Sequence, residues 1–219
     1  LYLLTFIFVA LVIIGAGYVG MTLSLDYMQK KYVELQLDIN MRQAENMAAF
    51  LENQINNGAS QKDVRENLQK ALVGTDADKG FLCMFDKYDA ELICHPDENM
   101  LGMKIPAEFS FEDTQSGEVS KTRNIILEGI SKGGLYHTEK RTEVAYMVPV
   151  EGTGWMLSAN ENIEMINAEI NNQREIFLIG FGILSLLTAL LATLMASIIG
   201  RRYEKTIESQ NEELENKND

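Results

Sequence analysis

Two blocks of the chain carry no charged side chain, Leu1 to Leu25 and Ile176 to Gly200. Each runs 25 residues, which as helix is about 37 Å long. A hydrocarbon core of about 30 Å needs about 20 apolar residues, so both blocks predict membrane-spanning helices. Neither shows the polar face of a buried soluble helix. The alternative for Leu1–Leu25 is a signal peptide, but its apolar run exceeds a signal h-region and no clean small-residue cleavage site precedes Asp26. The pattern therefore divides the chain into a first span at 1–25, a domain at 26–175, a second span at 176–200 and a tail at 201–219. Small residues (Gly15, Ala16, Gly17 and Gly20; Ser185, Ala189, Thr193 and Ser197) allow the spans to pack closely.

Between the spans the periodicity changes several times. From Leu25 to Asn57 there is no Pro or Gly. Tyr32, Leu35, Ile39, Met47, Phe50, Leu51 and Ile55 recur at steps built from three and four, which predicts a long amphipathic helix continuous with the first span. Ser60 with Asp63 resembles a capping box and opens a second helix, with Val64, Leu68, Leu72 and Val73 on its apolar side. Phe81–Phe85 and Glu91–His95 then predict a hairpin, and Pro96 ends it. With a turn at Lys87–Ala90, Cys83 lies opposite Cys94, and Met84 shares a face with Leu82, Ile93 and His95. Met100–Gly117 reads as irregular. Val119–Ile130 reads as a helix ended by Gly133-Gly134, and Leu135–Lys140, Glu143–Val150 and Trp155–Asn160 read as a three-strand meander. The expected fold is α+β: a five-stranded antiparallel sheet with helices on one side and irregular segments on the other. Ile163–Ile176 runs as helix into the second span. Beyond it Tyr203, Ile207, Gln210, Leu214 and Lys217 fall at 4-3-4-3 spacing, the start of a coiled coil. That seam stops in mid-pattern, so an output domain is expected beyond Asp219.

Charge sharpens the picture. The chain has 19 Lys+Arg against 32 Asp+Glu, a balance that repels phosphate and argues against nucleic-acid binding. Arg201, Arg202 and Lys205 directly follow the second span, so the positive-inside rule places the tail in the cytoplasm and 26–175 outside. Lys30 and Lys31 count mildly against this, but long translocated domains cross largely regardless of charge.

The chemistry-bearing residues are few. Cys83, Cys94, His95 and His137 are all the Cys and His present, and Cys94 and His95 point to opposite faces of one strand, which argues against a metal site. Two readings of the cysteines stand: a disulfide closing a short loop, or two buried free thiols. No nucleophile-elbow, zincin, P-loop or dinucleotide motif occurs, so neither catalysis nor a cofactor is expected. One face of the meander (Leu135, His137, Val144, Tyr146, Val148, Val150, Trp155, Leu157) suits packing against the long helix. The other (Tyr136, Thr138, Ala145, Met147, Met156, Ser158, Asn160) mixes apolar walls with placed hydrogen-bonding groups, as a small-ligand pocket does. It also reads as an ordinary second core face. His95 reads either as a pocket member or as a strand cap beside Pro96.

The strand–turn–strand of Phe81–His95, His95-Pro96 followed by Gly102, Tyr146 in the penultimate strand, Gly154-Trp155 opening the last, and the flanking long helix and spans resemble the extracytoplasmic single-Cache sensor regions of bacterial transmembrane receptors. The resemblance implies a PAS-like sheet, a homodimer in the bacterial plasma (inner) membrane, and a small-molecule ligand. It also implies signalling through the second span and coiled coil to a kinase, cyclase, phosphatase or chemotaxis effector. The expected ligand-binding set is Met84, His95, Tyr136, Thr138, Tyr146, Met147, Ser158 and Asn160. Family members often carry a lysine three residues before the strand tyrosine; Glu143 stands there, so a carboxylate-binding lysine does not carry over directly. The rival reading is a membrane-anchored interaction domain that binds a protein partner and dimerises through its helices.

Overall fold

The computed structural model describes residues 2–76, 80–139 and 141–218, and the side chains of most of these. Lys79 and Lys140, and the side chains of the seam positions Leu214 and Lys217, lie outside the described residues. The chain forms two compact units, Tyr27–Ile170 and the pair Leu1–Asp26 with Asn171–Asp219.

The first unit is built on one sheet. Helix α1 (Tyr2–Asn56) and helix α2 (Gln61–Leu72) precede it; Ser60 caps α2 by accepting from the Asp63 amide at 3.1 Å. The strands are β1 (Phe81–Asp86), β2 (Glu91–Cys94), β3 (Ser110–Glu112), β4 (Val119–Lys121), β5 (Lys132–His137), β6 (Thr142–Val150) and β7 (Trp155–Asn162). Helix α3 (Thr122–Glu128) follows β4, and α4 (Ile163–Asn218) follows β7. The strands pair antiparallel in the order β2-β1-β7-β6-β5-β3-β4.

The α+β class, the long first helix and the antiparallel sheet are as expected, but among the described residues the sheet has seven strands where five were expected. The extra two come from the segment read as irregular and from Val119, read as the start of a helix. Ser110–Glu112 and Val119–Lys121 are only three residues each, too short for period-two alternation to register. Gly133 and Gly134, read as a helix stop, lie inside β5. A Cβ on Gly134 would fall 2.1 Å from the carbonyl oxygen of Glu112, so only glycine lets β5 approach β3 this closely.

The hairpin register also differs. Met84 pairs with Cys94 and Phe85 with Leu92, with a bulge between Met84 and Phe85. Ile93 is the extra residue, and one extra residue switches every side chain beyond it to the other face. Cys94 therefore joins Met84 and Leu82 on the helix side, while Cys83 lies on the opposite side. Both thiols are free and buried, and burial raises the pKa of both. The disulfide reading does not hold.

Two cores sandwich the sheet. On one face, Ala44, Ala48 and Leu51 of α1 and Val64, Leu68 and Leu72 of α2 pack on Leu82, Met84, Trp155, Leu157 and Ala159. The buried side of α1 includes two alanines, which let helix and sheet approach, beside Val33, Asn40 and Leu51, and Met47, Leu51 and Ile55 pack there as expected. Tyr32, Leu35, Ile39 and Phe50, expected on the apolar side, are exposed at 41%, 59%, 46% and 56%. The other core gathers Phe81, Cys83, Phe85, Phe111, Ile125, Ile126, Ala145, Met147 and Met156.

In the second unit, α1 and α4 contribute helices long and apolar enough to cross a membrane. Their apolar side chains face outward, as at Leu186 and Phe8. Thr22, Thr188 and Thr193 turn their hydroxyls onto the carbonyls of Tyr18, Leu184 and Ala189, which satisfies them without water. The Phe181 ring lies on Gly17, where a Cβ would come within 2.1 Å of it.

Candidate functional site

On the sheet face away from α1 and α2, strands β1, β7, β6 and β5 floor a cleft of about 420 Å³. Its walls are mostly apolar. Phe81, Cys83 and Phe85 come from β1 and Leu92 from β2, while Met100, Met103, Ile105 and Phe109 arch over from the segment between β2 and β3. Polar groups enter at one end: His95, Tyr136, Thr138, Glu139, Arg141, Glu143 and Asn160. Phe109 meets Tyr136 edge to face at 5.9 Å.

His95 reaches this face because the bulge turns it there. Beyond Cys94 the strand ladder ends, and Gln69 of α2 takes its place. The Gln69 amide donates to the His95 carbonyl at 2.9 Å and accepts from the His95 amide at 2.9 Å. The ring stands edge-on to Phe81 at 5.2 Å. Its Nδ1 lies 3.0 Å from the Asp97 amide and 3.2 Å from the Asp97 carbonyl oxygen, accepting from the first or donating to the second according to tautomer. Burial holds the imidazole pKa below its ordinary value, against the opposing pull of Asp97.

Asn160 is fixed by its neighbours. Its Nδ2 donates to Cys83 Sγ at 3.3 Å, and its Oδ1 accepts from the Ser158 hydroxyl at 3.0 Å. Thr138 closes the β5–β6 turn: its hydroxyl donates to the Arg141 carbonyl at 2.9 Å and accepts from the Arg141 amide at 3.1 Å. That turn delivers Arg141 to the cleft. The guanidinium lies 2.5 Å from the Glu143 carboxylate and 5.5 Å from the Phe81 ring centroid. Glu143 pairs in register with Tyr136 and is 3% exposed. Burial raises its carboxyl pKa and Arg141 opposes that rise. Burial likewise pushes the Tyr136 phenol up.

Of the eight residues expected from sequence, His95, Tyr136, Thr138 and Asn160 line the cleft. Met147 and Ser158 lie on the same sheet face but wholly buried beneath it. Met84 and Tyr146 lie on the opposite face: Met84 is packed among the helix-side residues, and the Tyr146 hydroxyl donates to Glu45 of α1 at 3.4 Å. For these two the structure corrects the expectation. Met84 was placed by a register without the bulge, and Tyr146 sits one residue out of phase with Ala145 and Met147. Gln69 and the Arg141–Glu143 pair were not in the expected set. Glu143 carried a signal, because a carboxylate in a strand that is otherwise mostly apolar must find a partner.

Together these features define a mixed helix–sheet domain with an apolar-walled cleft that is polar at one end. No family model matches the chain, and no curated protein matches it. Solved structures do. A methyl-accepting chemotaxis protein from Vibrio parahaemolyticus is 11% identical, with a TM-score of 0.46 over 65% of this chain and 99% of that one. A Cache chemosensory domain studied for carboxylic acid recognition is 12% identical, with a TM-score of 0.40 over 64% of this chain and 97% of that one. The periplasmic sensor domain of a chemotaxis protein is 13% identical, with a TM-score of 0.40 over 63% of this chain and 96% of that one. All three come from chemosensory proteins.

Proposed function

We propose that this chain is the sensing region of a two-pass receptor of the bacterial inner membrane, and that the cleft binds a small extracellular molecule. The observation that carries this reading is the cleft itself: about 420 Å³, apolar-walled, with its polar groups gathered at one end. A cleft of this size and lining suits a metabolite.

The same reading supplies a route for the signal. Asn160 of β7 lines the cleft, and α4 begins directly after β7 at Ile163. A ligand that favours one arrangement of β7 biases α4, and a displacement of about 1–2 Å in such a helix is the usual scale of this switching. The Tyr203–Asp219 seam passes the bias to an effector. The exposed Tyr32, Leu35, Ile39 and Phe50 supply a face for a second copy, so the receptor is a homodimer.

The test is a thermal-unfolding screen of the full chain in lipid nanodiscs against a metabolite panel of acids, amines, amino acids and sugars. At least one compound raises the midpoint of the sheet domain, since a ligand present at about 100 times its Kd adds about 2.7 kcal/mol. A panel with no stabilising compound sinks the sensing role.

A further inference from the structure

Among the described residues, the formally charged side chains at the polar end of the cleft are Glu139, Glu143 and Arg141, and burial keeps His95 toward its neutral form. Two carboxylates therefore face one guanidinium. The deeper carboxylate is the better buried of its pair: the Glu143 side chain is 3% exposed and that of Arg141 is 27%. Asn160 gives one amide N–H to Cys83 and accepts from the Ser158 hydroxyl, and it carries no charge to offset the carboxylates. Arg141 meanwhile occupies a geometry of its own, an organic cation held on a buried carboxylate beside the Phe81 ring. A carboxylate and an aromatic face are the two features that recognise an organic ammonium.

We infer that the cleft takes a small organic ammonium, a primary amine on an apolar body. Its nitrogen is held by Glu143 and its body lies against Phe81, Phe109 and Tyr136. Arg141 is the resident cation with which the amine competes for Glu143. A carboxylate in the same place meets Glu143 across a poorly solvated gap, where like charges repel strongly. This inference rests on the sensing role proposed above and narrows its ligand class.

The experiment uses three probes of one aryl-ethyl shape and different charge: phenethylamine, 3-phenylpropionate and phenylalanine. Each is titrated against the full chain in nanodiscs, with thermal unfolding and calorimetry as readouts. Phenethylamine binds and stabilises; 3-phenylpropionate does not. Glu143→Gln weakens the amine by about ten- to a hundredfold, the scale of one charged hydrogen bond. Arg141→Gln tightens it, because the competing cation is gone, a gain that general loss of structure does not produce. If either variant fails to fold, the charge series on the unaltered chain decides alone. Binding of 3-phenylpropionate or phenylalanine as tight as that of phenethylamine overturns the ammonium inference and leaves sensing intact. The absence of any binding by phenethylamine, or an affinity indifferent to Glu143→Gln, overturns it as well. The sensing role falls only with the wider panel.

Discussion

At the scale of single residues, the cleft depends on how His95 is held. Strand β2 stops at Cys94 and Pro96 offers no amide, so the backbone of His95 relies on Gln69 for both of its hydrogen bonds. Gln69→Ala leaves a buried amide and carbonyl unpaired and lowers stability by about 1–3 kcal/mol; urea unfolding of the full chain in nanodiscs measures it. The imidazole adds a pH signature. Its folded pKa is lowered by burial, so on acidification the unfolded chain takes up a proton near pH 6.5 before the folded one does. The stability His95 contributes is therefore present above about pH 6.5 and lost as the pH falls through the lowered folded value. Glu143 and Glu161, whose pKa values burial raises, act with the opposite sign, losing stability as the pH rises. His95→Asn keeps an acceptor for the Asp97 amide and removes the titration. A fall in stability between pH 7 and 5 that is smaller in this variant than in the wild type is the expected result; identical slopes count against the assignment.

At the scale of elements, the sheet shows which patterns a sequence carries and which it hides. β5, β6 and β7 alternate cleanly, and the two faces expected for them are the two faces observed. The bulge at Ile93 was invisible, because it changes register without changing composition, yet it alone moves His95 into the cleft and separates Cys83 from Cys94. The packing side of α1 was legible only in part: Met47, Leu51 and Ile55 pack on the sheet side as their spacing predicts, whereas the rest of that side was hidden for a different reason. Alanines at 44 and 48 carry little apolar signal, while the larger Tyr32, Leu35, Ile39 and Phe50 form a louder stripe that the sheet does not cover. Strand β5 tests the close approach that its glycines permit. Gly134→Ala places a methyl group against the Glu112 carbonyl, where neither backbone can retreat without breaking the β3–β5 ladder. The expected cost is about 1–3 kcal/mol, that of overpacking. Hydrogen exchange of the β3 and β5 amides, faster than in the wild type while β1 and β7 stay protected, locates it.

At the scale of the whole molecule, the uncovered stripe on α1 calls for an occupant. Four large side chains between Tyr32 and Phe50 lie exposed on a helix whose other side is sealed by the sheet. Leaving them in water forfeits burial worth about 1.5–3 kcal/mol for each large side chain. A second copy brings the same stripe, and a two-fold axis makes the contact self-complementary, so that each residue faces its own counterpart or a near neighbour. Cysteine crosslinking reads this cleanly, because the native thiols do not interfere: Cys83 and Cys94 are buried on opposite faces of the sheet, and their raised pKa values leave little reactive thiolate at neutral pH. Ile39→Cys therefore gives a disulfide-linked dimer under mild oxidation in nanodiscs, whereas Glu34→Cys, away from the stripe, stays monomeric. Equal crosslinking at both positions, or none at Ile39→Cys, removes α1 as the dimer contact and leaves its stripe to a partner of another kind.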